Sequence, residues 1–240
     1  MTIIVVGASG ATGQLLVEQL LNRGKKVKVI VRSPDTLPKD LLQHTNLSVI
    51  HASILDLSDA AIAQHVSGCE AVASCLGHNF SFKGVFGHPR KLVMDATRRF
   101  SNAIKKNKPD KPVKIVLMNS SGVKNKDLSE KVSFAQQCVI WPLRLLLPPH
   151  ADNEDAANYL RKEIGQDDRD IEWVVVRPDS LVDEAKVTEY ELHHSPIRSA
   201  IFDAGQVSRI NVGSFMADLV INSKLWSKWK GKMPVIYSKV

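Results

Sequence analysis

Val6-Gly7-Ala8-Ser9-Gly10-Ala11-Thr12-Gly13 follows the apolar run Ile3-Ile4-Val5-Val6 and leads straight into a helical pattern. In that pattern Leu16, Val17, Leu20 and Leu21 share one face and Gly24 is the stop. Three glycines spaced three apart at a strand-to-helix junction let the chain turn tightly. They also let backbone N–H groups approach a pyrophosphate and let the helix pack closely on the sheet. The N–H groups and the positive dipole end of the helix then face the phosphates. The alternative, a tight turn that holds no ligand, accounts less well for the motif's place at the first strand–helix junction.

Outward from this motif, short β-branched runs alternate with amphipathic stretches. Strands are expected at residues 3–6, 27–31, 47–50, 71–75, 113–118, 171–176 and 234–237. Their apolar residues run on continuously, as in parallel strands buried on both faces. Leu92, Val93, Ala96, Phe100, Ala103 and Ile104 mark one further helix, and Val212, Phe215, Met216, Leu219 and Val220 another. The rhythm predicts an α/β fold with a doubly wound parallel sheet, a Rossmann fold. Residues 1–240 are expected to form a single domain with substrate-side insertions, and the mostly helical or irregular stretch between Ser121 and residue 171 is where a pocket or lid is expected.

Composition narrows the class. With 240 residues, 44% hydrophobic and 24% charged, the chain has the make-up of a folded soluble domain and not of a disordered or fibrous one. The net charge of +7 favours anionic partners. Cys69, Cys75 and Cys138 form no Cys-x-x-Cys pair, so neither a disulfide framework nor a zinc module is indicated, and a reducing, cytoplasmic setting is expected. The opening apolar run is too short for a signal or a span. The later one, residues 138–147, is broken by Pro142 and Arg144 and reads as a core or pocket helix.

The end of the second strand bears on the choice of cofactor. A site for NAD places an acidic residue there to accept from the ribose 2′-hydroxyl. This sequence has Val31-Arg32-Ser33-Pro34 instead. A carboxylate would repel a 2′-phosphate, whereas a guanidinium and a hydroxyl bind one well, so Arg32 points to NADP(H).

Taken in order, Gly7–Gly13, Val31-Arg32-Ser33-Pro34, Asp56, Asn119-Ser120-Ser121-Gly122 and Val176-Arg177-Pro178 make the chain resemble the atypical short-chain dehydrogenase/reductases. Within them it is similar to the NAD(P)H-binding NmrA-like group, which includes biliverdin-IXβ/flavin reductases. Residues 205–219 resemble the family's late strand and final helix. The resemblance implies that Gly7, Ser9, Gly10, Ala11, Thr12 and Gly13 hold the pyrophosphate, and that Arg32 and Ser33 hold the 2′-phosphate. It places Leu55 and Asp56 beside the adenine, and Leu76, Gly77 and His78 beneath the ribose and nicotinamide. Asn119, Ser120 and Ser121 would end the fifth strand beside the nicotinamide, and Pro178 would border the carboxamide.

One departure from that family is chemical. Its Tyr-x-x-x-Lys acid is missing: none of Tyr159, Tyr190 and Tyr237 has a lysine four residues on. A phenol whose pKa a lysine lowers is the group that would protonate an alkoxide, so ordinary alcohol–ketone redox is not expected. Ser120 and Ser121 are the candidate catalytic residues, as hydrogen-bond donors to a substrate carbonyl, though serines at a strand end equally serve the local backbone. Asp179 reads as a turn or cap residue. The pair His193-His194 has no carboxylate or cysteine at a ligand spacing, so no metal is expected. Residues 78–88 carry three aromatics and two histidines, a platform for a planar substrate or simply loop packing. Lys105, Lys106, Lys108, Lys111, Lys114, Lys124 and Lys126 are not accompanied by any nucleic-acid-binding motif.

Two functions fit. One is an NADPH-dependent reductase passing a hydride to a small conjugated acceptor of flavin, quinone or tetrapyrrole type. The other is a non-catalytic NADP(H)-binding redox sensor acting through a protein partner. The sequence carries no signal for oligomeric state.

Overall fold

The computed structural model describes residues 1–78, 89–130, 148–199 and 202–239. In chain order the elements begin with β1 (Thr2–Val6), α1 (Ala11–Asn22), β2 (Lys26–Val31), α2 (Lys39–Leu42), β3 (Leu47–His51), α3 (Asp59–Val66) and β4 (Ala71–Ser74). They continue with α4 (Leu92–Asn107), β5 (Val113–Met118), α5 (Pro148–Tyr159), β6 (Ile171–Pro178), β7 (Ser180–Val182) and β8 (Tyr190–His193). The last are β9 (Gln206–Ser208), α6 (Arg209–Ile221), α7 (Ser223–Trp229) and β10 (Val235–Ser238). The main sheet runs β3-β2-β1-β4-β5-β6-β10-β8, parallel except where β8 pairs antiparallel with β10. This is a doubly wound α/β sheet, the class read from the sequence.

The continuous apolar runs are explained by burial on both faces. Ile3 and Val5 of β1 face a core shared with α1 and α6, where Leu16, Leu20 and Phe215 pack. Ile4 and Val6 face the opposite core, with Ile62 of α3, Phe100 of α4 and Ala157 of α5. Because the helices after β1 and β4 go to opposite faces, a crevice opens between the carboxyl ends of these adjacent strands. That is where ligands bind in open α/β sheets. At Gly213 of α6 an added Cβ would stand 3.0 Å from the Leu16 nitrogen, which shows how closely α6 lies on α1.

All seven expected strands form. The one expected at 71–75 stops at Ser74, because the chain leaves the sheet there to pass over Gly7. β9 and α6 stand where the resemblance of residues 205–219 puts a late strand and final helix, whereas the short strands β7 and β8, three and four residues of mixed polarity, carry no periodic signal.

Beyond Ser121 a buried ion pair organises the chain. Arg177, at the end of β6, is fully buried, and its side chain meets that of Glu130 at 2.8 and 3.2 Å through two guanidinium nitrogens. Its remaining N–H groups donate to the carbonyls of Met233 (2.8 Å), Val123 (2.9 Å) and His194 (3.0 Å). Glu130 also accepts from the Asn125 N–H at 2.7 Å. All five guanidinium donors are used, the condition under which a buried pair offsets its desolvation.

The expected consequence is a large loss on breaking it. Glu130→Ala leaves a buried guanidinium uncompensated and should cost about 3–5 kcal/mol. Thermal denaturation should therefore show a midpoint lower by roughly 10 °C for a chain of this size.

Candidate functional site

Gly7 sits at the end of β1 with φ +76°, in the left-handed region, and a Cβ there would lie 2.4 Å from the Cys75 backbone carbonyl. A Cβ on Gly13 would lie 2.0 Å from the Gly7 oxygen. Neither position accepts a side chain without moving backbone. Gly10 differs: it is exposed, and a Cβ would meet only the Gly7 oxygen, at 3.3 Å. It stands just ahead of α1, with no side-chain cap and no acidic residue in the first turn. The first backbone bond of the helix is from Gln14 to the Gly10 carbonyl, at 2.9 Å. The N–H groups before it face the crevice mouth, a cradle for an anion that fits a pyrophosphate.

The other sequence-read residues lie along the same carboxyl edge of the sheet. Arg32 and Ser33 follow β2 directly and are exposed. The Arg32 carbonyl is held by His51 Nε2 at 2.9 Å and the Ser33 carbonyl by the Thr36 hydroxyl at 2.6 Å. The Arg32 guanidinium has no ion-pair or hydrogen-bond partner among the described residues. Leu55 and Asp56 occupy the turn after β3, half-buried and exposed respectively. Leu76, Gly77 and His78 continue from β4, and Asn119, Ser120 and Ser121 from β5. Ser9, Gly10, Ala11, Arg32, Ser33, Asp56 and Gly77 are exposed, whereas Thr12, Asn119, Ser121 and Pro178 are buried.

Several supporting residues had no sequence signal. Gln14 Nε2 donates to the Ser9 carbonyl (3.3 Å) and the Thr36 carbonyl (3.1 Å), joining the glycine turn to the segment after β2. Arg99 of α4 clamps the turn that carries Leu55 and Asp56, donating to the Ile54 carbonyl at 2.7 Å, to the Leu57 carbonyl and to Asp59. Asn119 Nδ2 donates to the Asn153 carbonyl at 2.9 Å and ties the end of β5 to α5. Apart from the Gln14–Ser9 bond, each of these contacts joins residues more than twenty positions apart in sequence, so no local pattern announces them.

The two candidate catalytic serines are both engaged. Ser120 Oγ accepts from the Gly122 N–H at 3.2 Å, and the Ser121 side chain hydrogen-bonds Asp179. Asp179 also accepts from the N–H groups of Ser180 (2.9 Å) and Gly205 (3.2 Å), the turn role read for it from the sequence. Burial pushes its carboxyl upward, against the pull of these hydrogen bonds. Gly205 also lines a cavity of about 730 Å³ among β7, β8, β9 and β10. Its walls include Val182, Glu191, Arg198, Gln206 and Tyr237.

The tyrosines do not replace the missing acid. Burial raises Tyr190 to about 12, helped by Asp218. Burial and Asp179 raise Tyr237. A catalytic phenol needs the opposite shift. His193 is 3.1 Å from Glu191, and the His194 ring lies 4.7 Å from that of Trp229. Among the described residues no group of three or more metal-ligating side chains comes together. The basic cluster is partly spent on structure. Lys105 pairs with Asp168 at 2.7 Å, Lys126 pairs with Glu154 at 3.0 Å, and Lys114 lies over the Trp226 ring. The aromatic stretch 79–88, the apolar stretch 138–147 and Cys138 lie outside the described residues. Among the described residues no helix is long and apolar enough to cross a membrane.

A sequence profile of the NAD(P)H-binding family matches residues 7–223. The chain belongs to that family. The resemblance read from its motifs is upheld by this match and by solved structures of the same fold. A short-chain dehydrogenase/reductase from Veillonella parvula in complex with NADP has a TM-score of 0.71 at 18% identity, over 99% of this chain and 94% of that one. The oxidoreductase ylbE from Lactococcus lactis has a TM-score of 0.69 at 16% identity, over 100% and 91%. A candidate NADH-flavin reductase from Streptococcus pneumoniae has a TM-score of 0.68 at 16% identity, over 100% of both chains. No curated protein matches the sequence.

The glycines separate into two kinds by experiment. Gly13→Ala should lose about 2 kcal/mol or more, since its methyl group would overlap a backbone carbonyl, and the melting temperature should fall by roughly 4–8 °C. Gly10→Ala should melt near wild type while weakening dinucleotide binding in a calorimetric titration. Equal melting temperatures for the two variants would contradict this division.

Proposed function

We propose that this protein is an NADPH-dependent reductase of a small conjugated acceptor of flavin, quinone or tetrapyrrole type. The observation that carries the cofactor half is Arg32, exposed at the end of β2 with its backbone fixed on both sides and its guanidinium unpartnered. A cation held there with no acidic residue in its place suits a 2′-phosphate. The NADP complex of the Veillonella parvula neighbour is in keeping with that choice. Gly10 and the first turn of α1 would receive the pyrophosphate, Leu55 and Asp56 would flank the adenine, and the carboxyl ends of β4, β5 and β6 would lie under the nicotinamide half.

Bound NADPH would supply the hydride. The protein's part is to bind, orient and exclude water. An acceptor that draws its proton from solvent or from a group other than tyrosine accounts for the absence of Tyr-x-x-x-Lys and for phenols pushed away from ionisation. The cavity lined by Gly205, whose N–H is bonded to Asp179, would offer space for such an acceptor, which favours the reductase over a purely regulatory role.

Two measurements test this. Steady-state NADPH oxidation with FMN, menadione and biliverdin should show turnover with at least one. Tight NADPH binding without any turnover would leave the redox-sensor reading instead. Cofactor titrations should find that Arg32→Ala weakens NADPH by roughly one to two decades, the loss of one or two charge-assisted bonds, and weakens NADH much less. An equal loss for both cofactors, or wild-type NADH binding as tight as NADPH, would overturn the assignment of Arg32.

A further inference from the structure

Between α6 and β10 the chain is basic without interruption. Residues 222–234 hold four lysines, Lys224, Lys228, Lys230 and Lys232, and no acidic residue. All four lysines are exposed. Trp226 and Trp229 of α7 are buried in the core, which leaves Ser223, Lys224, Ser227 and Lys228 on the outer side of the helix. Lys224 and Lys228 stand four apart, a like-charge spacing that destabilises a helix. Of the four lysines only Lys230 is ion-paired among the described residues, to Glu172 at 2.8 Å. Lys228 lies over the Trp229 ring, and Lys232 Nζ donates to the Lys228 carbonyl at 2.8 Å. A neighbour feels the field of this group. The His194 ring, 4.7 Å from that of Trp229, is held below the usual imidazole range by burial, by Lys232 and by Lys228.

The segment after His194 adds a second, independent feature. Ile197 and Phe202 are the most exposed large hydrophobic side chains among the described residues, at 57% and 61%. Three residues span at most about 11 Å, so Ile197 stands close to the lysines that act on His194. Phe202 is held to the same stretch by its N–H bond to Ser199 Oγ (3.1 Å) and by the neighbouring Arg198–Asp203 pair (2.8 Å). The acidic side chains around the patch are already engaged: Glu172 by Lys230, Asp203 by Arg198 and Glu191 by His193. Attraction of the cofactor does not account for this charge. β10 stands four strands from β1 in the sheet, roughly 19 Å at the usual strand spacing. Exposed charges farther apart than about 8 Å are largely screened at physiological salt.

We propose that α7, with Lys230 and Lys232 after it and Ile197 and Phe202 beside it, forms a docking surface for an anionic lipid bilayer. The lysines meet the lipid phosphates and carboxylates, an attraction that acts within a Debye length of the surface. Ile197 and Phe202 supply the apolar part of the contact by entering the interface. A nucleic acid fits this surface less well. Residues 222–234 contain no arginine and so no planar fork for base edges. The two tryptophans are buried and offer no platform for stacked bases. A phosphate backbone would also leave Ile197 and Phe202 without a partner. A second copy of this chain would set like charge against like charge. The surface is apart from the crevice, so the proposal does not depend on the NADP(H) reading.

The test is co-sedimentation of the intact protein with vesicles of phosphatidylcholine alone and of phosphatidylcholine mixed with phosphatidylserine, at about 0.1 M and about 1 M salt. Wild type should sediment with the mixed vesicles at the lower salt and stay in solution with the neutral ones. It should be largely released at the higher salt, where the Debye length falls to about 3 Å. Lys224→Gln combined with Lys228→Gln should weaken partition onto the mixed vesicles by roughly tenfold to a hundredfold. Phe202→Ser should weaken it by about tenfold. Both variants alter exposed side chains only. Both should melt and titrate with NADPH as wild type does, which separates docking from folding and from the crevice. No sedimentation with the mixed vesicles, equal sedimentation with both kinds, or wild-type partition in the lysine variant would overturn the proposal. Binding to a short duplex DNA without vesicle binding would overturn it in favour of nucleic acid. A dimer in analytical ultracentrifugation that Phe202→Ser dissolves, again without vesicle binding, would overturn it in favour of a second copy.

Discussion

The contact on which the rest of this molecule depends is that of the Gly7 backbone with two neighbours that leave no room for a side chain. On one side stands the carbonyl of Cys75, where the chain leaves β4. On the other stands Gly13, in the first turn of α1. These approaches set how near β4 lies to the end of β1 and how near α1 lies to both strands. They also hold the start of the helix open toward the crevice, since the turn is closed by the Gly10 N–H bonding back to the Gly7 carbonyl at 3.0 Å. The same close packing that keeps Gly7 and Gly13 bare leaves Gly10 exposed ahead of α1.

A second anchor, polar where the first is steric, holds the half of the sheet farther from the glycine turn. β10 pairs with β6 at Val235 and Ile236, and a further parallel bridge joins Val174 to Lys232. Arg177 adds side-chain bonds to this pairing, drawing the carbonyls of Val123, His194 and Met233 and the Glu130 carboxylate onto one buried guanidinium. A network in which every donor is satisfied specifies a single arrangement, because any shift leaves a buried polar group unpaired. Asp179, which Ser121 and Gly205 contact, follows close on Arg177 in the chain, and Gly205 also lines the cavity.

Electrostatics divides the site in a consistent way. At its outer end, near Arg32, the positive charge is exposed and free to meet an anion. Farther along the sheet, burial pushes the phenols of Tyr190 and Tyr237 away from ionisation and raises the carboxyl of Asp179. Asp179 and Asp152 both sit at strand or helix ends with backbone N–H groups bonded to them. Asp152 also touches a histidine, and Asp179 a serine.

What the sequence by itself determined is the part of the molecule ruled by local spacing. The two-sided burial of β1, β5 and β6 is written in unbroken apolar runs. The turn at Gly7–Gly13 is written in glycines, and the cofactor end of β2 in an arginine where an acid would serve NAD. These features depend on residues within a few positions of one another, so a linear reading reaches them. Only the tertiary structure decided which glycines serve the fold and which faces a ligand. The same holds for the joining of His78 to Asp152 across 74 residues, for Arg99 holding the turn at Asp56 from another helix, and for the burial of Arg177 against Glu130. The short strands β7 and β8 belong with these. Each owes its place to partners brought near by the sheet, and a hydrogen bond between distant segments leaves no period in the sequence because nothing local requires it.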